Sequence, residues 1–520
     1  MYQRIIFTGL SGLRTDEKTT SDFYSSFLPN SIPFFKLEDF IKTNYAKKNN
    51  NVSVKKIWLG KFLQQPPEIV QKEWKEALNV IKNEIDNRKI DNYILAMHAV
   101  FYNYRTNEYI CPVSEQLLKL IKPQVIITLI DDIFDIHNRL KENGHIFCTS
   151  NGGSDIDDPN GLLYEIIRIL DWRANEIMVT RHLAMELGIK HYLLAIKHDY
   201  KLLDNLIIKG KESAYVSHPI TQVRNHQRDG NYKKAKKIIS EIHRFEEEVS
   251  ENFSAFLPTT IDEYRFKKDL RNNRTIILNE LFDRWDAEKY SSKINSMFEK
   301  NKKENISLWR NGKSKGNLNQ LLWILAKIIE KQINVRDHFL VEQCNALIVY
   351  RPCYDGIASD GVLEEIDYYL LLKEVNRKCL VYLPKVDRDE FLIKQFESVI
   401  NNQLKEGKLK QKGRKRLKGI KLKPSQRRKM VEYFQNDSTI FTDEFLNEEK
   451  IQPNINEVPL KDKVPMAQKF IQDLDNSFLS AVNKVFEKYK KVATVFVEDE
   501  KSPKELMEIF INKINEGKND

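Results

Sequence analysis

Acidic residues follow an apolar run in the second half of the chain, at positions suited to chemistry. The run Ala346–Tyr350 predicts a buried strand, and the segment Ser359–Tyr369 after it predicts the start of a helix. Asp360 can cap that helix, and Gly361 would let a ligand approach the backbone closely. Ligands of open α/β sheets bind at the carboxyl ends of the strands, which is where these residues fall.

Helical spacing separates the two glutamates of this segment. Glu364 points away from the apolar face, whereas Glu365 lies on its border and can be partly buried while still reaching a pocket. The alternative is a capped surface helix with solvated acids, because acidic residues are common at helix starts. At about 100° per residue, the predicted apolar face consists of Val362, Leu363, Ile366, Tyr369 and Leu370.

Composition indicates a multidomain protein with buried cores. Hydrophobic residues make up 41% and charged residues 30% of the 520-residue chain. No apolar run has the length of a membrane span and no signal-peptide pattern is present, so we expect a soluble, cytoplasmic protein with no membrane partner. The five cysteines are scattered and the ten histidines lack HExxH-type spacing, so we expect no metal site built by the protein.

Residues 405–429 form a basic segment with 13 Lys and Arg residues and one Glu. Because the whole chain carries a formal charge of +10, the remainder is near neutral. Such a segment can bind nucleic acid by counterion release, although it lacks the interleaved aromatic residues that would stack on bases. A solvated, mobile loop is an equal alternative. The candidate nucleic-acid contacts are Arg414, Lys415, Arg416, Arg427 and Arg428.

Apolar runs alternate with helical patterns through the first 200 residues and return after residue 211. Continuous apolar strands between helices are typical of a parallel sheet covered on both faces. The predicted strands are Ile5–Thr8, Tyr93–Met97, Val125–Ile130, Tyr192–Ile196, Ala214–Ser217, Ala346–Tyr350, Cys379–Leu383 and Val492–Val497.

We therefore predict an α/β protein with two Rossmann-like parallel-sheet domains in one chain, a helical insertion and a mainly helical C-terminal region. A helix is expected to open at Arg336-Asp337 and to lead into the next strand. The predicted parts are a first domain at 1–205, a second at 206–400 with the insertion at about 268–333, a basic linker at 401–430, and a C-terminal region with one strand at 431–520.

The first predicted strand leads into Gly9-Leu10-Ser11-Gly12-Leu13-Arg14-Thr15-Asp16, the layout of a turn that cradles phosphate. Residues 1–200 resemble P-loop nucleotide kinases, the adenylate kinases in particular. The resemblance implies a nucleotide site at Gly9, Gly12, Arg14 and Thr15 that would take ATP and Mg²⁺. The family's lysine position holds Thr15 and its hydroxyl position holds Asp16, which favours a degenerate nucleotide sensor or platform over an active kinase.

Four segments of the second predicted domain resemble the nucleoside 2-deoxyribosyltransferase family. They are Tyr215–Ile220, Arg336-Asp337, Cys344–Val349 and Asp360–Ile366. The resemblance implies that Glu365 is the nucleophile, that Tyr215 orients it and that Asp360 is the accompanying acid. Attack on the anomeric carbon would pass through an oxocarbenium-like transition state, which a nearby negative charge stabilises.

The same resemblance implies substrate contacts from His218, Pro219, Asn345 and Gly361. Asn345 replaces an aspartate that is typical of the family, and His218 replaces a small residue. The implied substrate is a nucleoside, a nucleotide or NAD, with water or a second base as acceptor. Family members share active-site groups between subunits, so we expect a homo-oligomer.

Three functions follow from these readings. The first is an N-glycosidase or deoxyribosyltransferase, and its fusion to a kinase-like domain resembles regulated prokaryotic antiviral or toxin effectors. The second is a non-catalytic nucleotide-binding module that assembles with nucleic acid or partner proteins. The third is a nucleotide kinase.

Overall fold

The computed structural model describes most of two α/β units. The described residues are 4–10, 14–15, 18–19, 32–48, 62, 65–103, 106, 108–142, 159–198, 200–220, 223, 232–258, 317–372, 377–406 and 485–516.

A five-stranded sheet organises the first unit, with the strand order β4-β5-β1-β8-β9. Each of the four neighbouring pairs is parallel. β1, β5 and β8 consist almost entirely of buried residues, most of them apolar, as expected of strands covered on both faces. The strands are β1 (Arg4–Gly9), β4 (Phe34–Lys36), β5 (Tyr93–Ala96), β8 (Val125–Ile130) and β9 (Lys190–Ala195).

The helices of this unit bury apolar faces against the sheet. In the helix Pro67–Asn87, buried residues recur at helical spacing and join Ile6 and Leu95 in one core cluster. Trp74 of this helix packs edge-on against Phe101, with ring centroids 4.7 Å apart. In chain order the helices are α1 (Leu37–Lys48), α2 (Pro67–Asn87), α3 (Glu115–Lys119), α4 (Ile133–Glu142), α5 (Pro159–Leu187) and α6 (Tyr200–Leu203), which runs into a π-helical segment at Asp204–Ile208.

The second unit contains another five-stranded sheet, ordered β11-β10-β12-β15-β16. The pairs β10–β12, β12–β15 and β15–β16 are parallel. Its strands are β10 (Ser213–Ser217), β11 (Ser254–Phe256), β12 (Ala346–Tyr350), β15 (Lys378–Tyr382) and β16 (Val495–Val497). Its helices include α7 (Tyr232–Asn252), α9 (Asp360–Leu371), α10 (Lys385–Glu406) and α11 (Pro503–Glu516), and residues 485–492 are also helical.

These two sheets confirm the predicted fold class, an α/β chain with two Rossmann-like parallel sheets. The C-terminal residues that the structure describes contain two helices and one strand, and β16 joins the second sheet. Within the described residues, three short antiparallel hairpins complete the strands: β2 (Arg14–Thr15) with β3 (Lys18–Thr19), β6 (Phe101–Asn103) with β7 (Glu108–Ile110), and β13 (Cys353–Tyr354) with β14 (Ile357–Ala358).

The compact units are not continuous in sequence. The first comprises Met1–Ser213 with Phe256–Gln343, and the second comprises Ala214–Ala255 with Cys344–Asp520. The helix α8 (Asn317–Glu342) therefore belongs to the first unit. The sequence had predicted that the second domain contains a helical insertion that ends at about residue 333. Arg336-Asp337 lies within this long helix and does not open one, because the apolar helical pattern begins well upstream.

The predicted phosphate-binding turn departs from its expected layout. A phosphate turn of this kind is followed by a helix whose first N–H groups face the ligand. Here Arg14 pairs with Thr19 and Thr15 with Lys18 in the antiparallel hairpin β2–β3. The helix expected at this point is therefore not formed by these four residues, since their backbones are extended and paired with each other.

Among the described helices, none combines the length and the apolar character that crossing a bilayer requires.

Candidate active site

The helix α9 positions the acidic residues of the second unit. Val362, Ile366 and Tyr369 are buried, as their helical spacing predicts, and Glu364 is exposed. Leu370, expected on the apolar face, is instead 38% exposed, so the buried face of the helix is narrower than predicted. The buried face holds the helix against the rest of the unit and leaves Glu365 on its border, partly buried.

Glu365 is held at both carboxylate oxygens by side chains of β10. The Tyr215 hydroxyl donates to Glu365 Oε1 at 2.7 Å, and the Ser217 hydroxyl donates to Glu365 Oε2. Alternate residues of a strand share a face, so Tyr215 and Ser217 reach the same side chain from one strand. Both residues are fully buried, and Ser217 ends the strand.

Two donors fix the orientation of the Glu365 carboxylate. The site lies where β10 ends, at the carboxyl edge of a parallel sheet, the edge at which open α/β sheets bind ligands. The arrangement therefore presents an oriented carboxylate at a ligand-binding edge.

His218 and Pro219 follow the strand but do not join this carboxylate. His218 alternates with Ser217 and leaves the strand on the opposite face, where its Nε2 lies 3.2 Å from Glu246 Oε1 of α7. Its Nδ1 atom is buried and makes no hydrogen bond among the described residues. Pro219 is buried beside it. His218 is thus part of a buried histidine–carboxylate pair, and its substrate contact stays a prediction.

Asp360 and Gly361 are exposed at the first turn of α9. Asp360 is the first helical residue and not the cap, because the capping position is held by Ser359, which makes no side-chain capping bond. A Cβ atom on Gly361 would meet nothing within 4 Å, so space for a close ligand approach is open there.

Asn345 lies apart from the Glu365 site. It is exposed and comes directly before Ala346, at the amino end of β12, whereas Ser217 at the other edge pairs in register with Val349. Its backbone carbonyl accepts a hydrogen bond from the Lys378 N–H. Parallel strands run in the same direction, so a residue that precedes β12 cannot share the edge at which β10 ends.

A tightly held hairpin connects β12 to α9. Arg351, at φ 52°, forms a two-bond fork with Asp387 (2.7 and 2.9 Å) and a further bond with Glu241. Burial alone would lower the pKa of Arg351, but these two carboxylates raise it. Gly356, at φ 69°, packs where a Cβ atom would lie 2.7 Å from the Glu390 carbonyl oxygen. These contacts fix the chain that enters the helix carrying Glu365.

The first unit has a different polar site at the carboxyl ends of β1 and β5. The Glu176 carboxylate of α5 accepts hydrogen bonds from the N–H groups of Gly9 (3.0 Å), Ala99 (3.0 Å) and Val100 (2.7 Å). Burial raises the pKa of Glu176 to about 7, against the lowering effect of His98 and of the three N–H donors. Among the residues predicted for nucleotide binding, Gly9 is therefore already bonded to a carboxylate.

The other nucleotide-binding and nucleic-acid-binding candidates are described in part. Arg14 and Thr15 form the strand β2 of the hairpin β2–β3, and Gly12 lies outside the described residues. The basic cluster Arg414, Lys415, Arg416, Arg427 and Arg428 also lies outside them. Within the described ranges, no group of three or more His, Cys, Asp or Glu side chains is placed to hold a metal ion.

No protein-family model matches this sequence, and a search of curated proteins also found no match.

Two residues that are central to these sites, Ser217 and Glu176, were not among the candidates predicted from the sequence. Ser217 could have been found, because it stands two residues after Tyr215 and strand alternation places both on one face. Glu176 offered no such signal: it lies within a long helix, and its three donors come from distant segments.

Proposed function

We propose that the second unit cleaves N-glycosidic bonds with Glu365 as the nucleophile. The observation that carries this proposal is the two-point anchoring of its carboxylate by Tyr215 and Ser217. A surface glutamate on a solvated helix would not have both oxygens bonded to buried hydroxyl groups. The anchoring supports the role that the family resemblance implies for this position.

The chemistry is a displacement at a sugar carbon. A carboxylate oxygen of Glu365 forms a bond to the anomeric carbon while the bond to the base nitrogen breaks, and the electron pair leaves with the base. The departing base takes a proton, for which Asp360, at the first turn of the same helix, and His218 are the two candidate donors. The resulting glycosyl ester is then opened by water or by a second base.

The proposed substrate is a nucleoside, a nucleotide or NAD. All three carry a base on the anomeric carbon of a ribose-type sugar, which is the group that the mechanism uses. Hydrolysis would release the base and the free sugar portion, and transfer would exchange one base for another. The proposal extends to the biological role of an effector in prokaryotic defence, which would act by depleting a metabolite.

The test is release of free base from each substrate, measured by chromatography with the full chain. Glu365→Gln keeps the shape of the side chain but removes the anionic oxygen, so we expect a loss of activity on the order of 10³-fold or more. Glu364→Gln, on the exposed side of the same helix, is the matched control and is expected to retain full activity.

Equal rates for the wild type and Glu365→Gln would show that this carboxylate is not the nucleophile. Trapping of a sugar ester on Glu365, detected by mass spectrometry of a slow substrate, would provide direct support.

A further inference from the structure

Three backbone N–H groups converge on one carboxylate in the first unit. Gly9 is the last residue of β1, while Ala99 and Val100 lie shortly after β5, so the donors come from the carboxyl ends of two neighbouring parallel strands. Convergent N–H groups at such an edge are the usual means by which α/β proteins hold anions. Here the anion is the side chain of Glu176, which is 1% exposed.

A positively charged side chain lies beside this carboxylate. His98 Nδ1 bonds the Gly9 carbonyl oxygen, and its Nε2 lies 2.8 Å from Glu38 Oε1. Both partners are acceptors, so both ring nitrogens donate and the imidazole is protonated. Burial lowers the pKa of His98, but the Glu38 and Glu176 carboxylates outweigh it and raise the pKa to about 9.

We propose that Glu176 is the built-in occupant of an anion site, and that the turn after β1 consequently does not take the phosphates of a nucleotide. The Gly9 N–H, which would donate to a phosphate, already donates to Glu176. A phosphate at this place would have to displace a buried carboxylate from three donors, and the two negative groups would repel each other.

The hairpin β2–β3 supports this inference independently. Arg14 and Thr15, which would face the phosphates in a kinase-like turn, are paired in extended backbone with Thr19 and Lys18. The described residues of this turn, Gly9, Arg14 and Thr15, therefore do not fit ATP and Mg²⁺. The first unit is a platform stabilised by its own carboxylate and not a phosphoryl-transfer site.

The test is chemical rescue in the full chain. Glu176→Ala removes the resident anion, leaves the three donors without their acceptor and takes away one of the two carboxylates beside His98, so we expect the melting temperature to fall by roughly 5–10 °C. Formate, a small carboxylate that fits the vacated position, is expected to restore at least about half of that loss by binding the folded state. Glu186→Ala, at an exposed position of the same helix, is expected to show neither effect.

The behaviour of the wild type and two further results distinguish the outcomes. The melting temperature of the wild type is expected to stay unchanged in formate, inorganic phosphate or Mg·ATP, because Glu176 already occupies the donors at this turn. Formate that leaves Glu176→Ala as unstable as before would overturn the proposal. If Glu176→Ala does not fold, calorimetric titration of the wild type and of Arg14→Ala with Mg·ATP decides. Binding to the wild type that is weaker in Arg14→Ala contradicts the proposal. An absence of binding, or binding of equal strength in both proteins, supports it.

Discussion

At the scale of single residues, the two hydroxyl groups on Glu365 have separable roles. Tyr215 is fully buried, so its ring is part of the core, whereas its hydroxyl has a bond to Glu365 Oε1. Ser217 adds little apolar surface and contributes mainly its bond to Glu365 Oε2. Removing either hydroxyl therefore tests orientation of the nucleophile with small effects on packing.

We expect Tyr215→Phe to lower kcat for base release by about 10- to 100-fold with little change in KM, because a freely rotating carboxylate spends less time aligned for attack. The loss of one buried hydrogen bond should cost about 1 kcal/mol in the free energy of unfolding. Steady-state kinetics and urea denaturation measure the two effects. Ser217→Ala should act in the same direction, and an unchanged kcat in both variants would argue against positioning.

Buried His198 makes the first unit sensitive to acid. Its Nε2 accepts a hydrogen bond from the Leu257 N–H at 3.0 Å, so the ring is neutral in the folded state. Burial lowers the pKa of His198 to about 4, with a smaller lowering effect from nearby Arg336 and an opposing effect from the hydrogen bond to the Ala195 carbonyl. The folded protein therefore takes up a proton on His198 only at a lower pH than the unfolded chain does, because the pKa of a histidine in the unfolded chain is about 6.5.

The contribution of His198 to stability is complete above about pH 6.5 and is lost as the pH falls towards 4, by up to about 3 kcal/mol. Urea denaturation at a series of pH values should show a shallower fall in His198→Gln than in wild type over this range. His182→Gln, at an exposed position of α5, is the control. Parallel curves for wild type and His198→Gln would contradict the assignment.

At the scale of elements, the hairpin β13–β14 determines where α9 begins. Gly356 combines a left-handed backbone with contact distances that leave no room for a side chain, since a Cβ atom would lie 2.5 Å from Lys394 Cδ. Lys394 also holds this hairpin through Asp355, with Nζ 3.1 Å from Oδ2. The hairpin is thus packed on α10 at the point where the chain turns towards Glu365.

Gly356→Ala is expected to destabilise the second unit by about 2 kcal/mol, from backbone strain together with displacement of α10, and to reduce kcat. Gly361→Ala is the matched control, because its Cβ atom would meet nothing and alanine favours helix. Thermal denaturation of both variants measures the difference. A normal stability for Gly361→Ala with weakened substrate binding would show that a ligand approaches this backbone closely.

At the scale of the whole molecule, the first unit needs a segment that is distant in sequence. Gln343 bonds both the N–H and the carbonyl of Leu193, on the edge strand β9, at 2.8 and 3.1 Å. Gln332 and Glu342 bond side chains or backbone of α5, including Arg173 and Arg181. The helix α8 therefore covers part of the first unit even though it follows β10 and β11 in the chain.

A fragment of residues 1–205 is expected to be markedly less stable than the first unit in the full chain, because it lacks α8 and leaves its packing surface on α5 exposed. Its melting curve, followed by circular dichroism, should be broad or shifted to lower temperature. A cooperative transition at the temperature of the full chain would show that α8 is dispensable for this unit.

The sequence by itself determined the fold class and eight of the ten strands in the two described sheets, because long apolar runs in parallel strands are a local signal; the short edge strands β4 and β11 were not predicted. Val125–Ile130 and Ala346–Tyr350 were predicted to the residue. Helical spacing also determined that Glu365 lies on the border of the buried face of α9. Its two donors follow the same logic, since Tyr215 and Ser217 share one face of a predicted strand.

Tertiary structure decided what depends on contacts between distant segments. Glu176 meets three donors from β1 and β5, and the pairing of Arg14–Thr15 with Lys18–Thr19 replaced a predicted helix start. The direction of His218 and the grouping of α8 with the first unit were decided in the same way. No periodicity within one segment encodes such partners, because each arises from the position of one element against another.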